Sequence, residues 1–331
     1  KTDMKISTKL LCILLTMITL QIAAQNAKPY AGYLFAYFEG SGPKNEQEQL
    51  RFGISENGIN WYALNKNQPV IASSAISSTG GIRDPYIVRT HDDASFLLVA
   101  TDMNTAKNGW GHNPGIILMK SDNLINWKYS IIDMAKLYPK NFGNVKWVWA
   151  PQVIYDYKAK KYLVYFTVSF KDKNNLDFYC AYANKDFSGF EKEPTLMFSP
   201  KYGGIDGDIC YKDGIYHFFY KGNTKDNNGK EYKNGIQQAT SKSLKGPWKE
   251  DFIYLDAYSD KKVNVEGSSV FKLNNSDEYF LMYDLYTSGR YEFQRSTDLY
   301  NFTSTPESFT KNFHPRHGSI ISITKDEARK L

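Results

Sequence analysis

The chain has 331 residues, with 42% hydrophobic and 23% charged side chains, which excludes a disordered polymer, since that state needs low hydrophobicity and high net charge. Its 41 basic residues outnumber 35 acidic ones for a formal charge of +6, yet no long Lys/Arg block occurs, so no nucleic-acid partner is expected. Three cysteines cannot form a disulfide framework, whereas 25 Tyr and 20 Phe suit a β-rich fold, because aromatic rings fill half-buried strand surfaces.

Met4–Gln25 reads as a secretory signal: Lys5 and Lys9 form its basic region, Leu10–Leu20 its apolar run, and Ile22-Ala23-Ala24 a cleavage site before Gln25. Residues 1–24 are therefore expected to be a signal peptide, and the mature protein secreted or periplasmic. No other stretch approaches the ~20 apolar residues of a membrane span. Two cysteines outlast the leader, Cys180 and Cys210, both in expected strands. Buried free thiols are the first reading, and one disulfide the alternative in an oxidising compartment.

From residue 28 onward the chain repeats itself. One element is an apolar strand: Tyr33-Leu-Phe-Ala-Tyr-Phe38, Phe96-Leu-Leu-Val-Ala100, Tyr162-Leu-Val-Tyr-Phe166, Tyr216-His-Phe-Phe-Tyr220 and Tyr279-Phe-Leu-Met-Tyr283. A second is a polar turn ending in an aromatic: Ser55-Glu-Asn-Gly-Ile-Asn-Trp61, Ser121-Asp-Asn-Leu-Ile-Asn-Trp127, Asn184-Lys-Asp-Phe-Ser-Gly-Phe190, Ser241-Lys-Ser-Leu-Lys-Gly-Pro-Trp248 and Ser296-Thr-Asp-Leu-Tyr-Asn-Phe302. Between the two lies another strand, such as Gly115–Met119. A third element aligns without gaps: Arg83-Asp-Pro-Tyr-Ile-Val88, Trp149-Ala-Pro-Gln-Val-Ile154, Ile205-Asp-Gly-Asp-Ile-Cys210, Val265-Glu-Gly-Ser-Ser-Val270 and Arg316-His-Gly-Ser-Ile-Ile321, always with Pro or Gly in third place.

Short strands in units of ~50–65 residues match four-stranded propeller blades. The Tyr33 strand lacks a preceding Pro/Gly segment, and the Arg316 segment lacks what should follow it, so the chain ends together complete one blade. The fold class expected is all-β, a five-bladed β-propeller of four-stranded blades over residues 28–331, closed by pairing its two ends, which removes open sheet edges. A β-sandwich, or two smaller β domains, is the alternative; neither explains a fivefold phase.

The first strand of a propeller blade lines the central channel. With side chains alternating along a strand, the second and fourth positions of the aligned segment share a face. The second positions are Asp84, Ala150, Asp206, Glu266 and His317; the fourth are Tyr86, Gln152, Asp208, Ser268 and Ser319. Burying an ion costs several kcal/mol unless it is paired or solvated, so three carboxylates at one radius point to a wet, functional channel. Such a set suits glycosidic cleavage: one acid protonates the leaving oxygen, another acts on water or on the sugar, and a third raises the donor's pKa by like-charge repulsion. The residues alone leave open which acid does which.

The ordered set Arg-Asp-Pro-Tyr-Ile at 83, Trp-Ala-Pro-Gln-Val at 149, Ile-Asp-Gly-Asp-Ile at 205, Val-Glu-Gly-Ser-Ser at 265 and Arg-His-Gly-Ser at 316 resembles glycoside hydrolase family 43, from about residue 30 to the end. The resemblance implies a five-bladed propeller that hydrolyses arabinose-, xylose- or galactose-containing glycans with inversion. It implies Asp84 as the general base, Glu266 as the general acid and Asp206 as the residue that tunes and orients the acid. Many relatives carry Asp-Pro in the third segment, whereas this chain has Asp206-Gly-Asp208; alignment with Asp84 and Glu266 favours Asp206. Gln152 stands where relatives often have an acid, so a substrate contact there is expected to differ. Some relatives bind calcium near the axis beside a histidine. The same is open at His317, although calcium wants six to eight oxygens and a hydrogen-bonded histidine is the simpler reading. No cofactor is required by this reading.

Further substrate-binding candidates each carry a structural alternative. Trp149 is a sugar platform or interblade packing. Arg290, in Tyr286-Thr-Ser-Gly-Arg290, reaches the pocket or stays on the surface. Asp102, ending a first-blade strand, binds a hydroxyl or caps a turn. The expected partner is an oligosaccharide or polysaccharide. The rival function is a catalytically silent carbohydrate-binding propeller. A sialidase-like enzyme needs a sixth blade and an arginine cluster, and a fructan-cleaving propeller needs a retaining pair.

Overall fold

A computed structural model describes residues 29–173, 175–222, 235–256, 264–305 and 309–331. The expected signal peptide and the Asn/Asp-rich turn 226–234 lie outside the described residues. The described chain forms five sheets, each opening on one of the Pro/Gly segments. The first blade runs Ile82–Arg89, Phe96–Asp102, Gly115–Ser121 and Lys128–Asp133, and the second Val145–Asp156, Lys161–Phe170, Asp177–Tyr182 and Thr195–Phe198. The third is Gly204–Lys212, Ile215–Gly222, Gly235–Ser241 and Lys249–Glu250, and the fourth Glu266–Lys272, Tyr279–Leu285, Arg290–Ser296 and Thr303–Ser304.

The fifth blade joins the two ends of the repeat. Pro315–Thr324 pairs antiparallel with Tyr30–Glu39, which continues through Arg51–Ser55 to Asn60–Ala63. Thr310–Lys311 adds a short parallel strand at its outer edge. Each innermost strand touches the innermost strands of both neighbouring blades, so the ring closes as a five-bladed β-propeller. Among the described residues, no helix is long and apolar enough to cross a membrane.

The apolar strands explain the ring's cohesion. Five buried clusters form, one at each blade–blade interface. The interface of the fourth and fifth blades is the most aromatic: Phe35 meets Tyr37, Trp61, Tyr291 and Phe313. The polar turns are built alike. Ser55, Ser121 and Ser296 each accept a backbone N–H three residues on, and the indoles of Trp61 and Trp127 donate back to the turn carbonyls. The closing strand ends in the helix Lys325–Lys330, started by a Thr324–Glu327 capping box. Glu327 also takes a two-pronged hydrogen bond from Arg89, which ties the closing blade to the first. Cys180 and Cys210 are both free thiols.

One feature of the innermost strands departs from plain alternation. In all five, the ladder slips by one residue beside the Pro/Gly position: Arg83/Tyr86, Trp149/Gln152, Ile205/Asp208, Glu266/Ser269 and, against Tyr37/Phe38, His317. A bulge of this kind places two residues opposite one and re-aims a side chain. Asp84, Ala150 and Asp206 accordingly have φ of 51°, 45° and 55°, a left-handed backbone that costs an L-residue ~1–2 kcal/mol.

Gly318 follows the bulge in the closing strand, and a Cβ there would run into the Ala36 carbonyl oxygen. Gly318→Ala is expected to lower unfolding free energy by about 1–3 kcal/mol, read as a lower urea midpoint with an unchanged slope. An unshifted midpoint would show that the closing pair is not tightly packed.

Candidate active site

The bulges bring the second-position side chains together at one end of the channel, with His317 at their centre. Its Nδ1 lies 3.3 Å from Asp84 Oδ1 and 3.7 Å from Asp206 Oδ1. The other Asp84 oxygen accepts from Thr101 Oγ1 at 2.8 Å, and that hydroxyl in turn accepts the Ala150 N–H. The other Asp206 oxygen accepts the Gly267 N–H at 3.0 Å, so the backbone beside Glu266 is fixed on Asp206. Glu266 receives Arg316 Nη2 at 2.5 Å on one oxygen and Lys221 Nζ at 3.2 Å on the other. The acids expected from the sequence therefore converge, and three cations converge with them.

These contacts set the charges. Burial pushes Asp84 up, but the hydrogen bond and charge of His317 outweigh it and hold the carboxyl below its usual value. Burial raises Asp206; the charges of Glu266 and Asp84 add to that and exceed the pull of His317. Burial also opposes the charge on His317, yet Asp206, Asp84 and Glu266 raise it to about 9, so the ring is an imidazolium at neutral pH. Glu266 is raised by burial but drawn lower overall by Lys221 and Arg316. Ionised Asp84 suits a base. Proton affinity in the free site favours Asp206, whereas Glu266 is the ionised partner of two cations.

The His317 shift carries a linkage. A group whose pKa rises on folding stabilises the native state fully below its unfolded value, and that stability is lost as pH climbs through the folded one. The protein is expected to lose on the order of 3 kcal/mol as pH rises from ~6.5 through ~9. His317→Gln should flatten that alkaline slope in urea melts; an equal slope in both proteins would mean that His317 is not the titrating group.

Asp208 sits deeper. It accepts Tyr86 Oη at 2.8 Å and the Val270 N–H at 2.6 Å, and burial raises its pKa to about 6. It braces the channel strands, while Asp206 faces the other acids. Gln152 is sealed from solvent, with both amide atoms unpartnered, so it does not line the open pocket. Trp149 does lie at the site's border: its ring stacks on Trp147 at 4.3 Å and meets Trp110 edge-on at 6.1 Å. Trp110 is 60% exposed, and Arg83 lies between its ring and that of Phe38. The result is an aromatic wall of three indoles.

Two candidates find other work. Asp102 is fully buried and accepts hydrogen bonds from the backbone and hydroxyl groups of Ser77–Thr79. It anchors the loop entering the first blade and has no free face for a sugar. Arg290 is exposed and, among the described residues, hydrogen-bonds Ser288 of its own turn, at 3.4 Å; it does not reach the acids. Arg316 supplies the guanidinium there, because it directly precedes His317 on the closing strand.

Besides Arg316, three participants were not expected: Lys221, Asp284 and Thr101. Their signal was present in the repeat. Each follows directly on the apolar run of a second strand, ending Phe96–Ala100, Tyr216–Tyr220 or Tyr279–Tyr283 with a polar residue beside the acids.

A calcium ion at the axis does not fit this donor set. The oxygens of Asp84 and Asp206 are already engaged by His317, Thr101 and Gly267, and His317 is a cationic donor. Among the described residues, no group of three or more His, Cys, Asp or Glu side chains is arranged to hold a metal ion.

The sequence model of a family described as a probable glycosyl hydrolase domain, related to glycoside hydrolase family 43, matches residues 28–329. An α-L-arabinofuranosidase of Bifidobacterium longum subsp. longum is 26% identical over 212 residues, which is 58% of this chain and 20% of the relative. The chain thus spans about a fifth of that relative's length. Two solved structures share the fold. An α-L-arabinofuranosidase from Clostridium thermocellum has a TM-score of 0.60 at 14% identity, covering 88% of this chain and 93% of its own. An endo-arabinase from Bacteroides thetaiotaomicron has a TM-score of 0.57 at 16% identity, covering 90% and 95%.

Proposed function

From the premise that this chain belongs to the probable glycosyl hydrolase domains related to family 43, we propose that it is an exported glycoside hydrolase that cleaves arabinose-, xylose- or galactose-containing glycans with inversion. The observation that carries this reading is the convergence of Asp84, Asp206 and Glu266 on His317 at one end of the channel. A binding propeller has no use for one buried and two half-buried carboxylates so close together, each of which needs compensation.

The role of Asp84 follows from its charge, and those of Glu266 and Asp206 from the family resemblance. Asp84, kept ionised by His317, draws the proton from a water that attacks the anomeric carbon. Glu266 gives a proton to the departing oxygen. Asp206 shares the same charge field, and like-charge repulsion between it and Glu266 favours holding one proton on the pair. Bond making by water on one face and bond breaking on the other invert the anomeric centre. The indole wall at Trp149 offers a flat surface to the sugar ring.

The test is a panel of aryl arabinosides, xylosides and galactosides, followed by proton NMR of the first-formed product. One member should be cleaved, and its product should appear first as the opposite anomer. A first-formed product of unchanged configuration would overturn inversion. Binding of oligosaccharides without turnover of any member would favour the silent carbohydrate-binding propeller.

A further inference from the structure

The donor role leaves a difficulty at Glu266, which two cations hold in its ionised form. A fourth carboxylate bears on this. Asp284 ends the apolar second strand of the fourth blade and is the direct ladder partner of Glu266. It is fully buried. Its Oδ2 accepts Arg316 Nε at 2.6 Å, while Nη2 of the same guanidinium goes to Glu266 at 2.5 Å. Its Oδ1 is buried without a hydrogen-bond partner.

A fully buried aspartate with one bare oxygen is costly to ionise unless a cation compensates it. A structural role alone is met more cheaply by an asparagine or an apolar residue. The geometry instead puts one guanidinium between two carboxylates. When Asp284 is ionised, it neutralises Arg316 and leaves Lys221 as the main cation on Glu266. When Asp284 is neutral, the whole charge of Arg316 acts on Glu266.

We propose that Asp284 is a positioning residue for the proton donor: it fixes Arg316 edge-on and takes up its charge, so that Glu266 can carry the proton to the leaving group. The inference rests on Glu266 being that donor. The titratable and charged groups facing Asp284 are Arg316, Glu266 and His317 at the site, the neutral phenol of Tyr291 across the ladder, and Lys311 from the closing blade. Burial, opposed by Arg316 and reinforced by Glu266, brings Asp284 to about 7, where the site can use either form.

The experiment compares wild type with Asp284→Asn, whose amide oxygen can still accept from Arg316. Two substrates are used: a glycoside with a sugar leaving group, and an aryl glycoside whose acidic phenol departs without protonation. For the sugar leaving group, the basic limb of the kcat/KM profile reports loss of the donor's proton. It is expected to move about one pH unit lower, with KM little changed. The loss should be at least roughly tenfold greater for the sugar leaving group than for the phenol. An unmoved basic limb, or equal losses on both substrates, would overturn the proposal and leave Asp284 a packing residue.

Should the variant fail to fold, carbon-13 titration of Asp carboxyls serves instead. In wild type the Asp284 carboxyl, assigned through its backbone connectivities, should titrate near neutrality and move to lower pH in Glu266→Gln, because a like charge has been removed. Absence of that movement is again contrary. Failure of the donor reading itself is separate: Glu266→Gln would then lose equal activity on both leaving groups.

Discussion

Asp84→Asn is expected to lower kcat/KM by roughly 10³-fold on whichever glycoside the wild type cleaves. Asparagine keeps the shape and can still accept from Thr101, but it has no lone pair basic enough to take a proton from water. The loss should fall on kcat more than on KM, because the base acts on water rather than on bound sugar. The pH dependence has a definite sign. His317 holds the Asp84 carboxyl below its usual range, so the base is ready throughout neutral pH and fails only well into acid. The acidic limb of the wild-type profile should therefore lie below the ordinary Asp range. The substitution also removes one of two carboxylates from His317 Nδ1, so the imidazolium loses support and its pKa falls. Retention of more than about a tenth of the activity by a folded variant, against the ~10²–10⁴-fold that a general base supplies, would remove Asp84 from the mechanism.

The ring and its acids were legible because they are consequences of repetition. Five aligned Pro/Gly segments gave the blade number, and the incomplete first and last units gave the closure later seen between Tyr30–Glu39 and Pro315–Thr324. The alternation argument placed these acids at the axis for an incomplete reason. Asp84 and Asp206 reach the axis through a bulge and a left-handed backbone, and the conserved place of Pro or Gly in the repeat was its only trace in the sequence. What stayed hidden was the compensation. Arg290 looked suitable from its place in Tyr286-Thr-Ser-Gly-Arg290, yet a place in a turn says nothing about direction, and the turn keeps the guanidinium in solvent. Arg316 lies next to His317 in the chain but acts on Glu266 of the neighbouring blade, a relation that only ring closure creates. Asp102 resembled a pocket residue because it ends a strand at the acids' end of the blade; the Ser77–Thr79 loop, which consumes it, comes from the preceding connection.

Glu266→Gln should separate chemistry from structure most sharply. Glutamine cannot donate a proton of useful acidity, so cleavage of a glycoside with a sugar leaving group should fall by roughly 10³-fold. An aryl glycoside whose phenol departs unaided needs little protonation, and its loss should be ~10-fold or less. The substitution also takes the negative partner from Lys221 and Arg316, whose side chains are 8% and 22% exposed. Removing one member of a buried ion pair is costly, about 3–5 kcal/mol when the remaining charge is uncompensated. Here Asp284 still holds Arg316 and Asp206 still faces Lys221, so a smaller but measurable drop in melting temperature is expected. That drop makes absolute rates unreliable as a test, because a partly unfolded sample mimics lost catalysis. The ratio of the two rates is free of this defect, since any unfolded fraction lowers both alike. A wild-type-like ratio, however low the rates, would therefore mean that the proton reaches the leaving oxygen from elsewhere, with Asp206, the acid whose burial and neighbours favour protonation, as its source.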